Sequence, residues 1–174
     1  MVRALFPGTF DPIHFGHIDI ARRASRIFDE VIVAVYDKPL KNLVFTPEER
    51  VELAKQAFAD DGKIVVQKYS GLTITYAQKI EANVVVRGLR VFSDFEHEFR
   101  MALANHHLEP QIETVALITS EEHTFISSST VREVASLNGD VSSMVPPFVE
   151  KALIRRFREL GENQQVVPIS SLRD

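Results

Sequence analysis

The sequence contains no cysteine, no tryptophan and only seven glycines among its 174 residues. Without cysteine, the chain cannot form a disulfide scaffold, a zinc finger, an iron–sulfur cluster or a thiol nucleophile. No stretch approaches the ~20 apolar residues that span a bilayer, and the apolar run at residues 1–6 is too short for a signal peptide. We therefore expect a soluble protein that is located in the cytoplasm and has no membrane partner.

Basic residues are slightly outnumbered, with 20 Lys plus Arg against 24 Asp plus Glu and a formal net charge of −4. Non-specific nucleic-acid binding depends on phosphate neutralisation by many basic residues, so nucleic acid is not an expected partner. A chain of this length can bury about 70% of the surface of its unfolded form in one domain. We predict a single domain over residues 1–160, followed by a polar tail over residues 161–174.

Short apolar runs, typical of strands buried on both faces, alternate along the chain with amphipathic helix patterns. The strand candidates lie at residues 4–6, 31–36, 64–66, 84–86 and 115–118. The helix candidates lie at residues 20–28, 46–58, 74–82, 93–107, 127–137 and 148–160. This alternation predicts an α/β fold, a Rossmann-like, doubly wound parallel sheet of five strands with helices on both faces. Ligands of such sheets bind beyond the carboxyl ends of the strands, so the loops after the strands should hold the site.

Three familiar motifs of α/β enzymes are absent from the sequence. There is no G-x-G-x-x-G, no G-x-x-x-x-G-K-[ST] and no G-x-S-x-G. Their absence disfavours a dinucleotide-dependent oxidoreductase, a P-loop NTPase and an α/β-hydrolase.

The loop after the first strand carries His14 and His17, three residues apart at the start of a helix. Their side chains should share one face, beside backbone amides that lack an intrahelical partner and at the positive end of the helix dipole. An isolated pair of this kind more often caps and packs a helix, and a metal pair would lack an obvious third ligand. The position after the strand, together with Gly8 and Thr9, favours phosphate binding.

Two more loops place phosphate-binding groups after strands or before helices. Arg87 and Arg90 flank a glycine after the fourth strand, where two permanent cations can bind different phosphates. The alternative for these arginines is ion pairing with Asp94 or Glu96. The serine run at residues 127–129 begins a helix and can form a phosphate cradle, although an N-cap alone needs only one serine.

The H-x-G-H segment at residues 14–17 resembles the signature of nucleotidyltransferases. Residues 3–160 as a whole resemble the bacterial phosphopantetheine adenylyltransferase family. Besides H-x-G-H, this resemblance rests on P-G-T-F-D-P at residues 7–12, Lys41, R-G-L-R at residues 87–90 and I-S-S-S-T-V-R at residues 126–132. The resemblance implies ATP and 4′-phosphopantetheine as substrates, and dephospho-coenzyme A and coenzyme A as further ligands. It also implies Mg²⁺ carried by the ATP phosphates, with no metal ligand from the protein, and a homohexamer.

The resemblance also assigns roles to residues. Those expected to support the transfer step are Thr9, His17, Lys41 and Arg90, and those expected to bind phosphopantetheine are Thr9, Lys41, Thr73 and Arg87. The residues expected at the ATP site are Thr9, Phe10, His14, His17, Gly88, Leu89, Arg90, Glu98, His123, Thr124, Phe125, Ile126, Ser127, Ser128 and Ser129. The chain departs from the usual family pattern at Phe6, at His14-Phe15, at His97 and at His123.

Two alternative functions stay open at this point. Nicotinate-nucleotide adenylyltransferases have a similar first loop, but the R-G-L-R and serine segments disfavour that assignment. A non-catalytic sensor of ATP or coenzyme A has less need of donors that converge on the α-phosphate. In the favoured reaction the acceptor phosphate is already ionised, so we expect direct in-line attack without a covalent intermediate.

Overall fold

The computed structural model describes residues 1–38 and 43–162. Lys41, predicted to bind substrate, lies outside the described residues, as do residues 163–174 of the predicted tail.

Within the described residues, strands and helices alternate as the sequence predicts. The strands are β1 (Arg3–Gly8), β2 (Glu30–Tyr36), β3 (Ile64–Tyr69), β4 (Val84–Leu89) and β5 (Glu113–Ile118). The helices are α1 (Phe15–Ile27), α2 (Pro47–Ala57), α3 (Thr73–Lys79), α4 (Phe92–Leu108), α5 (Ser128–Ser136) and α6 (Pro147–Glu162). A short 3-10 turn, Glu121–His123, precedes α5.

The five strands form one sheet in the order β3-β2-β1-β4-β5, and every neighbouring pair is parallel. The predicted five-stranded parallel sheet is therefore confirmed. The chain first winds outward from β1 to β3 and then resumes on the other side of β1 with β4. This change of direction opens a crevice at the carboxyl ends of β1 and β4.

Helices cover both faces of the sheet, because alternate side chains of the central strands enter two different apolar clusters. On one face, Phe6 and Val33 belong to a cluster that includes residues of α1, α2, α5 and α6. On the other face, Leu5 and Ile32 pack with residues of α3. This arrangement confirms the prediction of a doubly wound sheet.

Local sequence signals explain where several helices begin and end. Thr46 and Glu49 form the predicted capping box at the start of α2, with backbone-to-side-chain distances of 3.2 and 2.8 Å. Asn138 adopts the left-handed conformation, with φ 58°, after the end of α5. The prediction of a helix as far as Ala82 was wrong, since α3 ends at Lys79. Glu81 turns into the left-handed region, with φ 55°, and stops the helix.

Candidate active site

A cavity of about 760 Å³ lies at the carboxyl ends of β1 and β4. Its walls come from the loops after β1 and β3, from β4 and α4, and from the start of α5. Twelve sequence-predicted site residues line it, namely Thr9, Phe10, His14, His17, Thr73, Arg87, Gly88, Arg90, Glu98, Ser127, Ser128 and Ser129. Segments far apart in the sequence thus meet at the edge of the sheet where a ligand was expected.

The remaining predicted ATP-site residues are not brought to the cavity wall. They are Leu89, His123, Thr124, Phe125 and Ile126. Ile126 is fully buried and Phe125 is 58% exposed, while His123 stacks on Phe15 with ring centroids 6.1 Å apart. Ile126 still contributes to the site, because its carbonyl accepts a hydrogen bond of 3.1 Å from Arg90.

His14 and His17 form a reciprocal capping box at the start of α1. Nδ1 of His14 accepts from the His17 amide at 3.3 Å, and Nδ1 of His17 accepts from the His14 amide at 3.4 Å. Because both Nδ1 atoms accept, each neutral ring carries its proton on Nε2. The sequence offered helix capping and phosphate binding as alternatives. The structure shows the capping and also places both residues in the cavity wall, so phosphate binding stays a prediction.

Electrostatics keep this histidine pair neutral. The His17 ring retains some exposure to the cavity, yet burial lowers its pKa to about 3, with smaller contributions from the positive charges of Arg90 and Arg87. Burial also lowers the pKa of His14 well below its usual value, and His17 and Arg90 lower it further. Both imidazoles are therefore uncharged hydrogen-bond donors near neutral pH.

Phe10 explains why β1 ends in a glycine, Gly8. It adopts a left-handed φ of 52°, is buried, and lies edge-on to His17 with centroids 4.9 Å apart. A Cβ atom on Gly8 would lie 2.8 Å from the Phe10 ring, closer than carbon atoms can pack. Gly8 therefore allows the aromatic ring to support His17.

Arg87 is held at the wall by a bidentate ion pair. Its Nε and Nη2 atoms each donate to the Glu98 carboxylate at 2.6 Å, and Nη1 donates to the Pro7 carbonyl at 3.1 Å. This geometry fixes the guanidinium at the junction of β1 and β4. Both oxygens of Glu98 are engaged by Arg87, so the role of Glu98 at the ATP site stays a prediction.

Arg90 is oriented in a similar way by Asp94. Its Nε atom donates to the Asp94 carboxylate at 3.1 Å, and this interaction holds the pKa of Asp94 below its usual value, although burial acts in the opposite direction. Of the two ion-pair partners that the sequence offered, Asp94 is confirmed for Arg90, whereas Glu96 was wrong because it pairs with Arg100.

The three serines at the start of α5 have separate partners. Ser127 is the N-cap, and its hydroxyl accepts from the Thr130 amide at 3.0 Å. The Ser128 hydroxyl donates to the Pro12 carbonyl at 3.0 Å, and the Ser129 hydroxyl accepts from Arg132 at 3.4 Å. Capping thus uses one serine, as expected, while all three line the cavity.

Asp11 and Arg132 form a buried ion pair beside the cavity that sequence reasoning missed. The Arg132 guanidinium donates to the Asp11 carbonyl at 2.7 Å and lies 3.8 Å from its carboxylate. Burial raises the pKa of Asp11, against the effect of hydrogen bonds from the Val44 and Phe45 amides. Both residues lie inside segments that carry the family resemblance. That position is the only feature of the sequence that indicates a place for them at the site.

A cluster of tyrosines at the far end of the cavity was also missed. Tyr36 and Tyr69 line the cavity, and their ring centroids lie 5.1 Å apart. Tyr76 stacks on Tyr69 at 4.9 Å, and the Tyr69 hydroxyl is 3.0 Å from that of Thr73. Tyr36 ends β2 and Tyr69 ends β3, but the predicted strands covered Tyr36 alone, because the third strand candidate stopped at residue 66.

Two kinds of feature are missing from the described residues. In that part of the chain, no three His, Asp or Glu side chains are grouped so that they could hold a metal ion. None of its helices combines the length and apolar character needed to cross a bilayer.

Comparison with known proteins identifies the class to which this fold and cavity belong. The family model described as "Cytidylyltransferase-like" matches residues 5–134, which is more than half of the chain. The chain is therefore a nucleotidyltransferase of the cytidylyltransferase-like family.

Curated relatives define the particular family. The chain is 46% identical over 164 residues to the phosphopantetheine adenylyltransferase of Herpetosiphon aurantiacus, covering 94% of this chain and 99% of that protein. It is 50% identical to that of Roseiflexus sp. strain RS-1, covering 90% and 98% of the two chains, and 51% identical to that of a Synechococcus species, covering 88% and 97%. The chain belongs to the phosphopantetheine adenylyltransferase family.

A solved structure supports the fold. The chain matches a protein provisionally assigned as nicotinate-nucleotide adenylyltransferase from Vibrio parahaemolyticus with a TM-score of 0.69, covering 91% of this chain and 97% of that one. At 21% identity this likeness shows the fold alone.

Proposed function

We propose that this chain transfers the adenylyl group of ATP to 4′-phosphopantetheine, forming dephospho-coenzyme A and releasing pyrophosphate. The observation that carries the proposal is the meeting of a neutral histidine pair, Arg87, Arg90 and the start of α5 around one cavity. These groups are hydrogen-bond donors and cations, which suit two polyanionic substrates. The names of the curated relatives supply the particular reaction.

In the proposed step, a phosphate oxygen of phosphopantetheine attacks the α-phosphorus of ATP in line with the departing pyrophosphate. The Nε2–H group of His17 donates a hydrogen bond to the α-phosphate, and Arg90 neutralises charge that develops on the phosphates. No proton has to leave the acceptor, because its phosphate is ionised. Orientation of the two anions can itself lower the barrier by roughly 7–11 kcal/mol.

The two substrates occupy different walls of the cavity in this proposal. Thr9, Thr73 and Arg87 bind phosphopantetheine, and the tyrosine cluster next to Thr73 provides an apolar wall for its arm. Lys41 is proposed to bind the acceptor phosphate on the strength of the resemblance. Gly88, Arg90, the Ser129 hydroxyl and the backbone amides of Ser127–Ser129 bind ATP. The remaining predicted ATP contacts are Thr9, which is predicted to contact both substrates, Phe10, His14, Leu89, Glu98 and residues 123–126.

Nucleotidyltransferases of this kind use a divalent metal, and we propose that it is Mg²⁺ entering with ATP as part of the substrate. The carboxylates of the cavity do not fit a resident metal. Asp11 accepts from two backbone amides, Glu98 is bound by Arg87 and Asp94 by Arg90. Phosphate and water oxygens satisfy most ligand positions of Mg²⁺ without a protein cage.

One assay tests the proposed reaction. The protein is mixed with ATP and Mg²⁺, and pyrophosphate release is measured with 4′-phosphopantetheine, with nicotinate mononucleotide or with no acceptor. We expect release with phosphopantetheine only, together with a product that has the mass of dephospho-coenzyme A. Release only with nicotinate mononucleotide would support the nicotinate-nucleotide alternative, and binding of ATP without release would support the sensor.

We also propose that the chain forms a homohexamer in the cytoplasm. The observation in favour of assembly is α4, where Asn105 is the one buried residue among the side chains that the structure describes. Phe92, Phe95 and Phe99 form an exposed ladder along this helix, with centroid spacings of 6.4 and 5.7 Å. An apolar ladder of this kind is typical of protein contacts. Sedimentation velocity should give a mass near six chains, and a monomer would contradict the proposal.

A further inference from the structure

Arg50, on the first turn of α2, is fully buried, with 0% of its surface exposed. Its Nη1 atom donates hydrogen bonds to the Thr9 carbonyl at 2.8 Å and to the Tyr36 carbonyl at 2.6 Å. Its Nη2 atom donates to the Asp37 carbonyl at 3.4 Å. All three of these acceptors are backbone oxygens at the carboxyl ends of β1 and β2, on the rim of the cavity.

A buried guanidinium is costly to maintain, because it has lost its hydration and is stable only when hydrogen-bonded and electrostatically compensated. The negative charges of Asp11, Asp37 and Glu48 provide the compensation. An apolar side chain would fill the same volume at lower cost. What an apolar side chain cannot do is hold two strand ends together through their carbonyl groups.

A second buried group attaches the same loop on its other side. The Asp11 carboxylate accepts hydrogen bonds of 2.9 Å from the amides of Val44 and Phe45. Asp11 therefore attaches the loop after β1 to the end of the β2–α2 connection, while Arg50 attaches Thr9 to its beginning. The position of Thr9 relative to β2 is set by these buried contacts and by the neighbouring strand pairing.

We infer that Arg50 is a positioning residue for the transfer reaction, because its guanidinium fixes Thr9 and the end of β2 in the geometry that the acceptor requires. The inference rests on the proposed function. Arg50 does not line the cavity, so it acts through the backbone of Thr9 and Tyr36 and not by contact with a substrate.

The arrangement predicts an unequal effect on the two substrates. Of the two residues that Arg50 holds at the cavity, Tyr36 lies on the acceptor side, and Thr9 is predicted to contact both substrates. The ATP side is fixed by other contacts, since Arg90 is held by Asp94 and the start of α5 is capped by Ser127. Loss of the Arg50 contacts should therefore impair use of phosphopantetheine and leave ATP binding nearly unchanged.

The kinetic test uses the full chain with Arg50→Met, which keeps an unbranched side chain and removes the donors. We expect kcat to fall by about 10- to 100-fold, because displacements near 1 Å have effects of this size. The KM for phosphopantetheine should rise several-fold and the KM for ATP should change by less than about twofold. Arg50→Lys, which keeps the charge and can reach two of the carbonyls, should recover much of the lost kcat.

Lys63→Met is the control for a cation that holds backbone carbonyls away from the cavity. The Lys63 ammonium also donates to backbone carbonyls, those of Ser25 and Phe28 at 3.1 and 3.4 Å, but these lie at the opposite end of the sheet. This variant should keep the wild-type kinetic constants even if it unfolds at a lower temperature. A similar kinetic loss in both variants would show that Arg50 acts through general stability and would overturn the inference.

A spectroscopic measurement tests the positioning independently of activity. The chain has three tyrosines and no tryptophan, and all three tyrosines belong to the cluster that includes Tyr36. Near-ultraviolet circular dichroism therefore reports on the strand end that Arg50 holds. We expect a changed tyrosine signal in Arg50→Met and a smaller change in Arg50→Lys, whereas Lys63→Met should match the wild type.

The outcomes separate the two proposals. A wild-type protein that releases no pyrophosphate with phosphopantetheine contradicts the proposed function, and the tyrosine signal then decides alone whether Arg50 positions this strand end. If the wild type is active, unchanged kcat and an unchanged tyrosine signal in Arg50→Met overturn the positioning role. If Arg50→Met does not fold, the same comparisons are made with Arg50→Lys. Values of kcat and of the tyrosine signal below those of the wild type are then expected, and wild-type values of both overturn the positioning role.

Discussion

The imidazole rings of His14 and His17 lie stacked, with centroids 3.6 Å apart and an interplanar angle of 21°. Each ring accepts a hydrogen bond from the backbone amide of the other residue. A proton on either Nδ1 would break the capping bond and place a charge against its neighbour. The pair is therefore both a helix cap and a source of neutral donors, and this dual role has consequences for stability.

The first prediction concerns the stability of the ligand-free protein below neutral pH. In the unfolded chain a histidine titrates near 6.5, whereas burial lowers the pKa of folded His17 to about 3 and also lowers that of His14. Below pH 6.5 the unfolded state binds more protons, so the free energy of unfolding falls as the pH decreases. The expected slope is about 1.4 kcal/mol per pH unit for each histidine. Urea denaturation between pH 7.5 and pH 5 measures it.

The control for this prediction is the double variant His14→Asn/His17→Gln, whose amide side chains can replace the capping acceptors without titrating. Its stability should depend less steeply on pH than that of the wild type, by at least about 1 kcal/mol per pH unit. Identical slopes for the two proteins would show that the histidines are not the groups that titrate.

The second prediction concerns Gly8. In Gly8→Ala the new methyl group would meet the Phe10 ring at 2.8 Å, and a ring buried against His17 has little room to move. We expect the free energy of unfolding to fall by about 1–3 kcal/mol, as in other overpacked cores. Chemical denaturation measures the change. Gly62→Ala is the control, because a methyl group added there would meet nothing within 4 Å, and it should be neutral or slightly stabilising. Equal effects at both glycines would contradict the packing argument.

The sheet could be predicted from sequence because burial on both faces leaves a continuous apolar run, as at Val31–Val35. The H-x-G-H and R-G-L-R segments could be assigned to the site because parallel strands bring their carboxyl ends and following loops to one edge. H-x-G-H lies beyond the end of β1, whereas β4 extends further than expected and includes the first three residues of R-G-L-R. The order of the strands confirms that β1 and β4 are neighbours. Position relative to a strand was therefore enough to place these residues.

Arg50 and Arg132 could not be predicted in the same way. Their partners are distant in sequence, since Arg50 reaches Thr9 across 41 positions and Arg132 reaches Asp11 across 121. In a single sequence, a basic residue on an amphipathic helix is indistinguishable from a solvated surface charge. Only the packing of α2 and α5 against the loop after β1 shows that both guanidiniums are buried.

The third prediction separates two serines of the same run. Ser127→Ala removes the N-cap acceptor of α5, so the free energy of unfolding should fall by about 1 kcal/mol, while the KM for ATP changes little. Ser129→Ala should do the reverse, because its bond to Arg132 is long at 3.4 Å and the residue lines the cavity. Thermal unfolding and ATP saturation curves of both variants measure the effects. The same pattern in both variants would mean that the two serines have one shared role.

The fourth prediction concerns His17 as a donor to the α-phosphate. His17→Gln keeps an acceptor for the His14 amide, since glutamine is a normal capping-box residue at this position. Its amide group lies on a longer, flexible side chain and does not hold a donor rigidly where the imidazole Nε2–H lies, and loss of one well-placed donor from a reaction centre typically lowers turnover by about 100- to 1,000-fold. We therefore expect pyrophosphate release to fall by that factor, while ATP affinity by calorimetry changes only a few-fold and the unfolding temperature stays within a few degrees. Turnover within about tenfold of the wild type, in a variant that stays folded at the assay temperature, would remove His17 from the proposed step.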